Sequence, residues 1–179
     1  MAVCDGYASA YRIMCLIEGI PCVEIIGTGG NTGHAWNKLL IDGVWYGVDA
    51  TWSRMGSDLV TLRYLLINEA QLIESGHLEN NVTVSPDEQA PEDYITFVAS
   101  SEKDYYEMSG RVIRSAEDIK ELIDSAAAEG ITVLELKNLT GESLDQLFRR
   151  YQLSDFNVES LSYSAVNGTD TVYIMFVLK

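Results

Sequence analysis

Three side chains in this sequence have the chemistry of a thiol enzyme: Cys4, His34 and Asp49. Cys4 stands where a helix should begin, followed by Asp5, Gly6 and Tyr7. A thiol at a helix N-terminus feels the positive end of the dipole, which favours the thiolate. Add an imidazole within reach, itself oriented by a carboxylate, and the set becomes a nucleophile, a base and an orienter. Singly, each residue reads more plainly: Cys4 as a small buried hydrophobe, His34 as a strand-end polar residue, Asp49 as an acid near a turn. What favours catalysis is that a hairpin register aligns two of the three.

That register follows from residues 34–41 and 44–51, two β-rich runs flanking Asp42-Gly43, a strong two-residue hairpin signal. Such a loop pairs Ile41 with Val44, and so any two residues whose numbers sum to 85. His34 then faces Thr51 and Trp36 faces Asp49, with the even positions 34–40 and odd positions 45–51 on one face. His34 and Asp49 become diagonal neighbours, with backbones about 7–8 Å apart, within reach for an imidazole and a carboxylate.

The residues around these three resemble the bacterial transglutaminase-like family of the papain-like cysteine-enzyme superfamily. The resemblance rests on Val3-Cys4-Asp5-Gly6-Tyr7-Ala8, on Gly33-His34-Ala35-Trp36-Asn37, and on Asp42 to Trp52 with its Asp49-Ala50-Thr51-Trp52 end. Ile20-Pro21-Cys22-Val23 is similar to the family's segment between helix and sheet, and Arg63-Tyr64-Leu65-Leu66-Ile67 to its closing element. The match covers about residues 3–85. It implies Cys4 as nucleophile, His34 as general base and acid, and Asp49 as the residue fixing the imidazole. The implied reaction is acyl transfer on peptide or protein amides, with water giving a peptidase or amidase and an amine giving cross-linking; no cofactor and no metal are implied. Trp36 and Trp52 are candidate cleft walls and substrate contacts that shield the imidazole–carboxylate pair, with core packing the alternative for at least one. Family members carry helices ahead of the cysteine helix, whereas only Met1-Ala2-Val3 precede it here, so the chain reads as N-terminally truncated. The Cys4 backbone N–H can donate to an oxyanion, but loss of a second donor typically costs about 10²–10³ in rate, so impaired turnover is expected. Members are often extracytoplasmic or at the cell surface, the location the resemblance implies. The competing reading, of a different class, is a non-catalytic protein-binding or scaffold module that retains the fold.

The elements that must position these residues can be read along the chain. Residues 5–18 form a helix with Tyr7, Tyr11 and Met14 at i, i+4 and i+7 and a stop at Gly19 and Pro21. Residues 22–26 read as a strand. Gly27 to Gly33 carries four glycines in seven residues and reads as a mobile loop; it lacks the third glycine of G-x-G-x-x-G and precedes a strand, so it is no phosphate cradle. Residues 61–75 are helical or mixed. His77 has no acidic partner at readable spacing and reads as a surface residue. Residues 86–93, with Pro86 and Pro91, are the expected linker between a core at 1–85 and a small α+β domain at 94–179. In the latter, 94–99 and about 104–113 read as strands. Ser115 and Asp118 form a capping box for a helix ended by Gly130, and 131–136 is a strand. Thr140 caps a helix with Leu144, Leu147, Phe148 and Tyr151, and strands at 157–165 and 171–178 follow. The fold class expected is therefore α+β: a helix packed on an antiparallel sheet, then a small α+β sandwich with no histidine, cysteine or convergent carboxylate pair.

Composition narrows the partners. With 179 residues, 47% hydrophobic and 22% charged, the chain has the makeup of an ordinary globular protein. Acids outnumber bases 27 to 12, a net charge of −15, and such a field repels phosphate backbones and anionic lipid. Nucleic acid is thus excluded as the expected partner, and no run of about 18 apolar residues is present to span a bilayer. The opening MAVCDGYAS lacks the basic and apolar regions of a signal peptide. Three cysteines, Cys4, Cys15 and Cys22, make neither a disulfide framework nor tight zinc-binding pairs; Cys15 and Cys22 read as inert core thiols.

Overall fold

The computed structural model describes residues 3–55, 59–83, 103–166 and 170–179. The fold is α+β, with sheets that are antiparallel except for one parallel pair, and few helices. The chain divides into two compact units, Met1–Tyr105 and Tyr106–Lys179.

In the first unit, α1 (Cys4–Ile17) leads into β1 (Cys22–Gly29), β2 (Thr32–Ile41) and β3 (Val44–Val48). Two short strands follow, β4 (Arg54–Met55) and β5 (Leu59–Val60), paired with each other. Next come β6 (Leu65–Ile67), α2 (Glu69–Glu74) and β7 (His77–Thr83). The main sheet is antiparallel in the order β6-β3-β2-β1-β7. Its central hairpin forms in the expected register: Ile41 pairs with Val44 and Asn37 with Val48. Asp42 and Gly43 both take positive φ, 51° and 79°, the backbone of a two-residue turn whose twist matches that of the strands.

The two faces of this sheet are covered differently. On one, Cys15 of α1 packs with Cys22, Leu39 and Val48, and the Asn37 amide donates to the Ala8 carbonyl at 3.0 Å. Within α1 the buried residues are Ala8 and Cys15, whereas Met14 is exposed. On the other face, Trp36, Val23, Ile25, Trp45 and Ile67 pack with Leu72 of α2. Buried Lys38 pairs there with Glu69 of α2 and Glu79 of β7.

The glycine-rich segment is a correction to the expected loop. Gly27 and Gly29 lie inside β1, and only Gly30 and Asn31 turn the chain into β2. A Cβ on Gly27 would stand 2.0 Å from the Leu78 carbonyl oxygen and 2.7 Å from the Trp36 ring. One on Gly29 would stand 2.8 Å from both the His34 and Trp52 rings. Bulky aromatics lie directly over this strand, so glycine here makes room rather than flexibility.

The second unit has its own four-stranded sheet. The boundary between units falls within the short helix α3 (Tyr105–Met108), which with β8 (Val112–Ile113) replaces the expected strand at 104–113. α4 (Ala116–Ala128) begins with the expected capping box, Ser115 and Asp118 each bonding the other's backbone N–H. β9 (Val133–Asn138), α5 (Leu144–Phe148), a 3₁₀ turn at Leu153–Asp155, β10 (Val158–Ala165) and β11 (Thr171–Leu178) complete the unit. α5 is capped by Ser143, not Thr140; the Thr140 hydroxyl is occupied in a turn with Asn138 and Glu142. Ile119, Ile123, Leu136, Leu147 and Ile174 form the centre of the core. The strand expected at 94–99 and the linker at 86–93 lie outside the described residues.

Candidate active site

β2 carries His34 near its start, and Asp49 follows directly on β3. The Asp49 backbone N–H donates to the Tyr64 carbonyl at 3.0 Å, anchoring it beside β6. Its side chain is fully buried and has both oxygens occupied. Oδ1 accepts the backbone N–H groups of Thr51 at 2.8 Å and Trp52 at 3.0 Å, an aspartate turn that fixes the carboxylate by local geometry. Oδ2 lies 2.7 Å from His34 Nε2. His34 and Asp49 thus meet as the hairpin register requires.

The structure adds a residue that sequence reasoning misplaced. His77 is not on the surface: it is 2% exposed, and its Nε2 lies 3.0 Å from the same Asp49 Oδ2. It opens β7 opposite Gly29 of β1, just past the helix stop at Ser75-Gly76. Its partner is 28 residues away, beyond any motif spacing.

A carboxylate oxygen only accepts, so both imidazoles present Nε2–H to Asp49. Burial raises the affinity of the Asp49 carboxyl for its proton, but the hydrogen bonds from His34, His77 and the Trp52 N–H outweigh it and hold the group at about 2, below its ordinary 3.8. With Nε2 protonated, the free lone pair of neutral His34 is at Nδ1, the position from which it can take a proton. The His34 ring stacks on Trp52 at 4.9 Å and on Trp36 at 5.9 Å between centroids. Trp36 is 1% exposed and belongs to the core, whereas Trp52 is half-buried; both shield the imidazole–carboxylate pair.

The ligand atoms of His34, Asp49 and His77 lie within 4.8 Å of one another, a donor set of the type zinc accepts. Both N···O separations are hydrogen-bond lengths, so protons satisfy the set as it stands. Cys4 heads α1 and is half-buried. α1 runs along β2 with Ala8 over Asn37 and Cys15 over Leu39, so its head points toward the His34 end of the strand. The helix covers the Asn37 and Leu39 face, while His34 and Trp36 share the other. Among the described residues no hydrogen bond joins Cys4 to His34. Cys15 and Cys22 are buried, and burial pushes both thiols up, as suits inert core positions.

Comparison with known proteins places part of the chain. It is 37% identical over 79 residues to kyphoscoliosis peptidase of Mus musculus, covering 37% of this chain and 12% of that protein. Against kyphoscoliosis peptidase of Homo sapiens the identity is 35% over 79 residues, with the same coverage of both chains. The chain thus spans about an eighth of the length of these relatives. No family model matches. The similarity is thus partial, to proteins named as peptidases, and is confined to 37% of this chain.

Proposed function

We propose that the first unit is a cysteine-dependent acyl-transfer core acting on peptide or protein amides, with Cys4 as nucleophile, His34 as general base and acid, and Asp49 as orienter. The observation that carries this reading is the 2.7 Å bond between Asp49 Oδ2 and His34 Nε2. It holds the tautomer whose Nδ1 accepts a proton, the role of the third group in a nucleophile–base–orienter set.

In this mechanism the Cys4 thiol passes its proton to His34 Nδ1, and the thiolate attacks the amide carbonyl carbon. The tetrahedral oxyanion collapses, the C–N bond breaks, and the His34 imidazolium returns its proton to the departing amine. Water or a second amine, giving a proton to His34, then attacks the thioester carbonyl; the C–S bond breaks, the acid or new amide leaves, and the His34 imidazolium returns its proton to the Cys4 thiolate. Asp49 stabilises the imidazolium in both halves. Trp52, stacked on the ring, limits access of water to the pair.

A non-catalytic binding or scaffold module is the second reading, favoured by one observation: Cys4 makes no hydrogen bond to His34, and α1 lies on the opposite face. Turnover separates the two. Incubation of the full chain with casein reads cross-linking as incorporation of a fluorescent primary amine, and hydrolysis as new α-amino groups or as ammonia released with no added amine. The acyl-transfer reading expects either product, falling by about 10³-fold or more in Cys4→Ala and in His34→Ala. Product formation that survives Cys4→Ala would refute it.

A further inference from the structure

We propose that His77 is a positioning residue for this site: a second imidazole that pins the Asp49 carboxylate in the orientation that serves His34. The proposal rests on the acyl-transfer reading for its catalytic meaning, while its structural content stands on the geometry alone.

His77 and His34 share one oxygen. Nε2 of His77 lies 3.0 Å from Asp49 Oδ2, and Nε2 of His34 lies 2.7 Å from the same atom. The other ring nitrogen of His77, Nδ1, lies 2.9 Å from the Ser75 hydroxyl. Ser75 is the residue on which α2 ends, and its hydroxyl also reaches the Gln71 and Leu72 carbonyls at 2.8 and 2.9 Å. A chain of polar contacts therefore runs from the end of α2 through Ser75, His77 and Asp49 to His34.

The proton arithmetic of this chain is constrained. The Ser75 hydroxyl has one hydrogen. If that hydrogen goes to a carbonyl, Ser75 Oγ accepts from His77 Nδ1–H and the ring carries two protons. If it goes to Nδ1, the ring is neutral with its proton on Nε2. In both cases Nε2–H donates to Asp49, so the hold on the carboxylate persists whichever charge His77 carries. Backbone N–H groups of Thr51 and Trp52 fix Oδ1; His77 is the non-reacting donor that fixes Oδ2.

His77 is itself immobilised. Its ring meets Trp52 at 4.4 Å, Trp36 edge-on at 4.8 Å and Tyr64 at 6.1 Å, and its side chain is fully buried. The charged and titratable groups facing it are Asp49 and His34, with the Tyr64 hydroxyl-bearing ring alongside. Partners of this type, which orient a functional ligand through a hydrogen bond, typically change function by about 10–100-fold when removed.

The test uses two variants of the full chain. His77→Phe keeps a ring for Trp36, Trp52 and Tyr64 but has no donor; His77→Gln restores an amide N–H near the position of Nε2–H. Three readouts are taken: the downfield proton resonance of His34 Nε2–H, the carbon-13 titration of the Asp49 carboxyl, and the alkylation rate of Cys4 at pH 6. Expected in His77→Phe are a broadened or lost His34 Nε2–H resonance and an Asp49 titration moved upward from about 2. Cys4 alkylation there slows by about 10-fold or more. His77→Gln recovers all three. Should His77→Phe fail to fold, His77→Leu, which also lacks a donor, is expected to move the first two readouts the same way. A folded His77→Phe, or a His77→Leu standing in for it, that leaves the resonance and the carboxyl titration at wild-type values overturns the proposal, as does a His77→Gln that fails to recover them. If Cys4 alkylation in the wild type ignores His34, the acyl-transfer reading fails, and the first two readouts still decide the role of His77.

Discussion

Substituting Asp49 by asparagine should change how the stability of the first unit depends on acid. In the folded chain the carboxyl sits at about 2 against an ordinary 3.8. At about 1.4 kcal/mol per tenfold change in proton affinity, that fall amounts to roughly 2 kcal/mol. The sign follows from proton uptake: between these two values the unfolded chain binds the proton more tightly, so unfolding is favoured as acid is added. The stabilisation is fully present above about pH 4 and is lost as pH falls through 3.8 toward 2. Asp49→Asn has nothing to protonate and lacks this loss. All three tryptophans, Trp36, Trp45 and Trp52, lie in the first unit, so tryptophan fluorescence during urea unfolding reads that unit. The expected result is a wild-type unfolding free energy that drops about 2 kcal/mol further than that of Asp49→Asn between pH 5 and pH 2. Asp118, held down by the Arg114 backbone N–H, titrates alike in both proteins and cancels in the difference. Parallel curves for the two proteins would refute the claim that His34 and His77 hold Asp49 as a buried carboxylate.

Other perturbations test other parts of the account. Gly27→Ala drives a methyl into the Leu78 carbonyl; an expected loss of about 2–4 kcal/mol, read by thermal unfolding, accompanies weaker pairing of β1 with β7. Ser115→Ala removes the α4 capping box and should cost about 1 kcal/mol in urea unfolding followed by circular dichroism. Ile123→Ala, at a fully buried position in the second core, should cost about 2–5 kcal/mol by the same measurement.

What could be read from the sequence was what local rules govern. The β2–β3 turn is set by two adjacent residues, Asp42 and Gly43, and a two-residue loop leaves one register; the His34–Asp49 meeting followed from it. α1 and the Ser115 cap were legible for the same reason. The glycines of β1 misled because their cause is not local. They accommodate Trp36 and His34 of β2 and Trp52 of the turn after β3, and local propensity reads such spacing as a loop. His77 was illegible because Asp49 lies 28 positions away, joined through the pairing of β7 with β1. β7 carries Glu79, Asn80 and Asn81, a composition with no strand signal of its own. At Thr140 the competing turn with Asn138 and Glu142 took the hydroxyl that a helix cap would have used.

The central claim, that Cys4, His34 and Asp49 act as one unit, is most directly tested by the alkylation rate of Cys4 as a function of pH in the wild type and in His34→Ala. Cys4 alkylation at pH 6 is expected to be at least about 10-fold faster in the wild type than in His34→Ala. Rates that are the same in both proteins at every pH would contradict the joint action of the three residues.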